Sequence, residues 1–243
     1  MIKFFRKIRF DLLEKNNINK YLKYVIGEII LVVIGILIAF SINNWNESRK
    51  QRQKEIINLL EIKKGLESDL NTEFIPGISA YTSMEKAANN LRGFYNNTET
   101  ISNDSLTKNF RIALGNEWNF IFNISPFENL KSIGIDIISN DSIRSKISSL
   151  YSDEYPELIA RGERVLRFFE NQVRVVLHDN INLSNSNLSK NELDNLKNNI
   201  QLTNRFRSLF SQRIGLLNIA KDIEPKVELL INEINKELKR IKN

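Results

Sequence analysis

Few residues in this chain could carry proton, metal or nucleophile chemistry, and their spacing narrows the options. There is one histidine, His178, and no cysteine. His178 stands beside Asp179, and an imidazole next to a carboxylate can relay a proton. A helical di-iron site, however, needs Glu three residues before His, and that position is Val175. Zinc sites built from Cys and His are excluded by count. Asp153, Glu154 and Glu157 gather around Pro156. Their oxygens would suit calcium, but no ligand loop with its glycine accompanies them. Neither a phosphate-binding glycine loop nor a nucleophile elbow occurs. His178 therefore reads as a solvated or capping residue and the three acids as a solvated helix face. No catalytic, cofactor-binding or metal residue is expected, and the chain is not expected to be an enzyme.

The remaining unusual ionisable residue is Glu28, inside YVIGEIILVVIGILIAFSINNWNE. From Ile29 to Phe40 no polar side chain occurs. Tyr24 to Trp45 gives about 33 Å of helix at 1.5 Å per residue, close to the ~30 Å hydrocarbon thickness. Tyr21 and Tyr24 at one margin and Trp45 at the other are placed as interface anchors. A buried core helix would not be apolar all round and flanked by dense charge. Ala39-Phe40-Ser41 resembles a signal cleavage site, but the preceding 24 residues have their own helical pattern and the helix continues past Ser41. The reading is an uncleaved anchor. Glu28, one turn from the end, can reach the headgroups and pair with Lys20 or Lys23; the alternative is a contact to a partner helix. Gly27, Leu31, Gly35 and Ala39 share one face, and the small residues permit close helix approach.

Charge sets the orientation. Residues 1–24 hold seven Lys/Arg against two acids, and residues 43–243 hold 28 against 26. The sequence pI of 9.4 thus belongs mainly to the tail. A nucleic-acid module would carry its basic face on the folded domain, so no nucleic acid is expected as a partner. A short, strongly basic tail favours the cytoplasm, with the C-terminal domain outside, in the periplasm. Residues 2–14 form a basic amphipathic pattern, either an interfacial helix or a plain topogenic tail.

MIKFFRKIR together with the span just quoted resembles the N-terminal signature of a Bacteroidota family of single-pass membrane proteins of unknown function. FENLKSIGIDIISNDSIRSKISSLY, residues 127–151, resembles the same family's short helix, glycine, Ile-Ile-Ser-Asn-like turn and further helix. Phe40 and Ser41 depart from the family's Leu and Gln. The resemblance implies one span and a helical C-terminal domain, and no activity.

Few Gly and Pro (9 and 4) and many long aliphatics favour helices. A stalk helix over 46–75 is expected to bury Ile56, Leu60, Leu66, Leu70 and Phe74 and to end at Pro76-Gly77, with 78–95 returning antiparallel. A polar loop over 96–103 and a helix over 104–114 follow. NEWNFIFNIS, 116–125, reads as an extended plug across helix ends, with an aromatic ligand shelf as the sharper idea. Ser125, Pro126 and Glu128 start a helix that Gly134 stops. Asn140-Asp141 caps a helix reaching Asn180, with the stripe Leu158-Val165-Phe169-Val176 and a kink at Pro156. A turn over 182–189 leads to a capping box at Ser189 and Glu192 and a last helical region to Lys242, which Pro225 kinks or restarts.

The expected fold class is all-α: a tail (1–23), one transmembrane helix (24–45), a stalk (46–75) and the rest of an antiparallel bundle (76–243) of about four main helices plus short ones. The expected partners are membrane lipid and other membrane or envelope proteins or a second copy. The expected function is a membrane-anchored interaction or scaffold protein, or an accessory subunit of an envelope complex in the inner membrane. The alternative is an extracytoplasmic sensor domain signalling through a partner.

Overall fold

In the computed structural model, residues 18–96, 101–115, 117–182 and 187–242 are described. The basic tail pattern over 2–14 lies outside them, as do 97–100 of the expected polar loop and 183–186 of the expected turn. The chain divides into two compact units, Met1–Lys54 and Glu55–Asn243.

The described residues of the first unit belong to helix α1, Ile18–Asp69, which runs on into the second. The large apolar side chains from Ile29 to Phe40 are all exposed, by 47–70%. Each such side chain gains about 1.5–3 kcal/mol when removed from water, so removing this stretch from water would be strongly favourable.

The second unit is an all-α bundle without strands among the described residues. Three long helical runs dominate it. The first joins the end of α1 through a π-helical turn, Leu70–Phe74, to α2, Ile75–Asn90, followed by short α3, Arg92–Asn96. Then come α4 (Asn103–Ala113) and α5 (Ser125–Ile133). The second run is α6 (Asp141–Ser149), a π turn (Leu150–Glu154), α7 (Tyr155–Phe168), a π turn (Phe169–Arg174) and α8 (Val175–Asn180). After α9 (Lys190–Asn198) the third run is α10, Ile200–Lys242. Cross-contacts fix the directions. Asn140, Lys146, Glu154 and Gln172 bond Glu237, Glu233, Lys226 and Arg205 in turn. The third run therefore lies antiparallel to the second.

Pro76-Gly77 does not end the first run, and no antiparallel return occurs at 78–95. A proline inside an α-helix clashes with the carbonyl four residues back. Here a π turn precedes it, with the Ile75 N–H donating five residues back to the Leu70 carbonyl, and the wider turn makes room for the ring. Pro156 repeats the device: Tyr155 N–H donates to the Leu150 carbonyl. Pro225 sits on an exposed face of an unbroken α10. The break falls instead at Asn199, whose side-chain oxygen caps Gln201 and Leu202 N–H.

The π turns also rephase the buried faces. An α-helix drifts by about 40° over each four-residue step. Ile62-Leu66-Leu70-Phe74, Ile143-Ile147-Tyr151-Tyr155 and Val165-Phe169-Val173-Leu177 each repeat strictly by four and face the core. Each set overlaps a π turn, whose larger residue count per turn absorbs the drift. The stalk stripe is corrected accordingly: Leu59 and Ile62 are buried, while Leu60 is 42% exposed. In the second run Val173 and Leu177 take the inward places. The stripe Ala220, Ile223, Val227, Leu230, Ile234, Leu238, Ile241 is buried as expected.

Several starts and stops follow expectation. Asn140 caps α6, and Ser189 with Glu192 closes a capping box on α9. Gly134 ends α5 with φ 107°, a conformation that side chains other than glycine rarely adopt. Ser125 is not the cap of α5. Ile124 occupies that position without a side-chain bond, and Glu128 pairs with Lys131 instead.

Candidate functional site

Residues 117–123 are non-helical and form the plug. Phe120 and Phe122 point inward, while Ile121 is exposed. Phe122 stacks on Tyr155 at 3.8 Å between centroids, and Phe120 stacks on Phe122 and Tyr81. These rings are core packing, so the plug offers no ligand shelf. Non-helical backbone leaves N–H groups that must find acceptors. Carboxylates of the first run supply them: Glu73 accepts from Ile121 N–H at 3.1 Å and Asp69 from Asn123 N–H at 2.8 Å. Glu55 does the same for the turn after Gly134, accepting from Ser139 N–H and hydroxyl, both at 2.7 Å. Burial holds the Asp69 carboxyl above its usual range, against the opposing bonds from Asn123 and Tyr155. Gly77 lets the plug approach α2: a Cβ there would meet Trp118 and Phe120 ring atoms at 2.8 Å.

The plug's first described residue anchors a buried polar node. Arg213 of α10 is 3% exposed, and its Nε lies 2.9 Å from Glu117 Oε1. Its other nitrogens donate to Glu117 again and to the Ala113 and Gly115 carbonyls. The single Tyr81 O–H is shared between two acceptors, Glu117 Oε2 at 3.1 Å and the Trp118 carbonyl at 3.0 Å. The guanidinium also lies 5.4 Å from the Phe169 ring centroid. One arginine thus joins the end of α4, the plug, α2 and the second run.

Beside this node a cavity of about 610 Å³ opens between α2, α3 and the first half of α10. Met84, Ala88, Phe206, Phe210 and Leu217 give it apolar walls, and Arg92, Arg207 and Glu85 add charge. Tyr95 and Thr203 also line it, and their hydroxyls are buried without a hydrogen-bond partner. Burial raises the Tyr95 pKa, and the Arg207 charge opposes that shift. Sequence reasoning missed this site, because Tyr81 to Tyr95 and Thr203 to Leu217 are joined only by the fold.

The residues singled out from sequence lie elsewhere. Gly27 and Gly35 face open space, with nothing within 4 Å of an added Cβ. Leu31 and Ala39 are exposed on the same helix, and Glu28 is half-exposed. Trp45 is 67% exposed; the side chains of Tyr21 and Tyr24 lie outside the described set. His178 is exposed at the end of α8, and Glu154 pairs with Lys226 at 2.9 Å. Among the described residues no group of three His, Asp or Glu is placed to hold a metal.

Fold and site together define an all-helical bundle protein that carries one helix long and apolar enough to cross a membrane. The chain belongs to a family of unknown function (DUF6090), whose model matches residues 28–173, more than half of its length. That match takes in most of the apolar stretch of α1, the plug and most of the second run, but not α10. No curated protein and no solved structure matches the chain.

Proposed function

We propose that this is a single-pass, membrane-anchored interaction protein, without catalysis, that serves as a scaffold or accessory subunit of a bacterial envelope complex. Its basic tail lies in the cytoplasm, its span in the inner membrane and its bundle in the periplasm. The supporting observation is the exposed apolar stretch Ile29–Phe40 with Gly27 and Gly35 open on one face. Lipid can cover most of that surface, and a second helix, from another protein or a second copy, fits the small-residue face. Outside the span, Ile57, Leu60 and Ile133 remain exposed near the Asn129–Glu61 hydrogen bond that joins α5 to α1.

In-membrane cross-linking and co-purification test this reading. Gly35→Ile should reduce recovery of the partner at least severalfold, and Ile34→Leu, off that face, should not. Glu28→Gln acts like Gly35→Ile if the carboxylate touches the partner helix, and is silent if it only reaches headgroups. Partner recovery at wild-type level with Gly35→Ile would make the span a plain anchor. The cavity favours a second reading, in which the bundle also binds a small molecule and passes the signal to that partner.

A further inference from the structure

We propose that the cavity between α2, α3 and α10 binds a small amphiphilic anion, with an apolar body and one carboxylate-type head group. This deepens the second reading above and rests on it. The volume, about 610 Å³, falls within the range of about 300–1,000 Å³ typical of small-molecule sites. Met84, Phe206 and Phe210 give the walls an aromatic and aliphatic character suited to a flat or single-chain body.

The polar groups select the head. Buried hydroxyls almost always have a partner, so one without needs a reason. Among the described residues Tyr95 and Thr203 both lack one, and both line this cavity. Arg207 acts electrostatically on the Tyr95 hydroxyl, so cation and donor serve the same region. Arg92 and Arg207 line the cavity without an ion pair among the described residues. Among the described residues Glu85 is the one lining carboxylate, leaving an excess of positive charge there. Arg213 is already satisfied by Glu117 and two carbonyls and is not available for a ligand. A bound water would satisfy the hydroxyls alone, and Arg92 and Arg207 are exposed and hydrated without a ligand. An anion satisfies the hydroxyls and also draws on the charge of the arginines, through charge-assisted bonds.

The probes are 1-naphthaleneacetate and its uncharged twin 1-naphthaleneacetamide. They share a body and differ in the head-group charge. Calorimetric titration uses the full chain in phosphatidylcholine nanodiscs, with empty discs as blank, so the surrounding lipid offers no net anionic head. The acid should bind one to one, about tenfold more tightly than the amide. Arg207→Gln, at an exposed position, should remove most of that preference and leave the amide unchanged. Tyr95→Phe should weaken the acid while leaving the melting temperature equal or higher, which a purely structural hydroxyl would not do. Ala88→Trp should fill the space and abolish both. Equal binding of acid and amide would overturn the anion assignment while leaving the cavity as a site. No saturable binding of either probe, or binding that persists in Ala88→Trp, would overturn the site itself. Neither result bears on the span contact, which cross-linking reads separately.

Discussion

Arg213→Met should be among the most damaging single substitutions in the bundle. Methionine keeps the length of the buried stem and removes every guanidinium donor. The Glu117 carboxylate, whose side chain is 1% exposed, then stays buried without its counter-ion. The Ala113 and Gly115 carbonyls lose the Arg213 donor as well. Removing one partner of a buried pair costs about 3–5 kcal/mol. At roughly 2–4 °C per kcal/mol for a unit of this size, the melting temperature should fall by about 6–20 °C. Glu117→Leu should cost a similar amount, since Arg213 would then be the stranded charge. The double variant should cost far less than the sum, because neither charge remains, and Tyr81 still has the Trp118 carbonyl. Urea unfolding of residues 55–243, followed by fluorescence of Trp118, gives all corners of the cycle. A single substitution costing under about 1 kcal/mol, or two costs that add within about 0.5 kcal/mol, would refute the node as the tie between plug and third run.

Two further substitutions probe the plug. Gly77→Ala should destabilise by about 1–2 kcal/mol on urea unfolding, because the strain of pushing Trp118 and Phe120 back exceeds the helix propensity gained; a stabilised variant would contradict the close approach. Asp69→Asn should be neutral or stabilising at pH 7, whereas Asp69→Ala, which strands the Asn123 N–H and the Tyr155 hydroxyl, should be destabilising. The pH dependence has a definite sign. The folded-state pKa of Asp69 is raised above 3.8, so its protonated form favours folding. That contribution is complete below 3.8 and is lost as pH rises through the folded value. The stability of the wild type relative to Asp69→Asn should therefore increase on acidification from pH 7, and a decrease would contradict the burial argument.

Local signals were readable in the sequence where local chemistry decides the structure. The apolar run, Asn140, Gly134 and the Ser189–Glu192 box act within a few residues, and each sits where its type and spacing place it. Pro76 misled, because a proline reads as a stop unless the preceding turn widens. The signal for that widening was present: three four-residue steps in succession, as in Ile62-Leu66-Leu70-Phe74, cannot stay on one face of a regular α-helix. The same pattern explains why Val173 and Leu177 of the second run face inward. The Glu117–Arg213 pair and the Glu55–Ser139 bond join residues 96 and 84 positions apart, and the two sides of the cavity lie further apart still, and no local pattern announces them. The same holds for Glu55, Asp69 and Glu73 of the first run, whose carboxylates receive backbone N–H groups from the plug and the turn after Gly134.

The central claim is an anchored bundle facing out of the cytoplasm, and the absence of cysteine makes it directly measurable. Single cysteines are placed at Asn17, before the span, and at Ile200, which is 74% exposed on the bundle. An impermeant maleimide is applied to spheroplasts before and after lysis, and membranes are then washed in alkaline carbonate. The account predicts that both variants stay in the washed membranes, that Ile200→Cys is labelled in intact spheroplasts and that Asn17→Cys is labelled only after lysis. Release of the protein by the wash, or labelling of Asn17→Cys with Ile200→Cys protected before lysis, would contradict it.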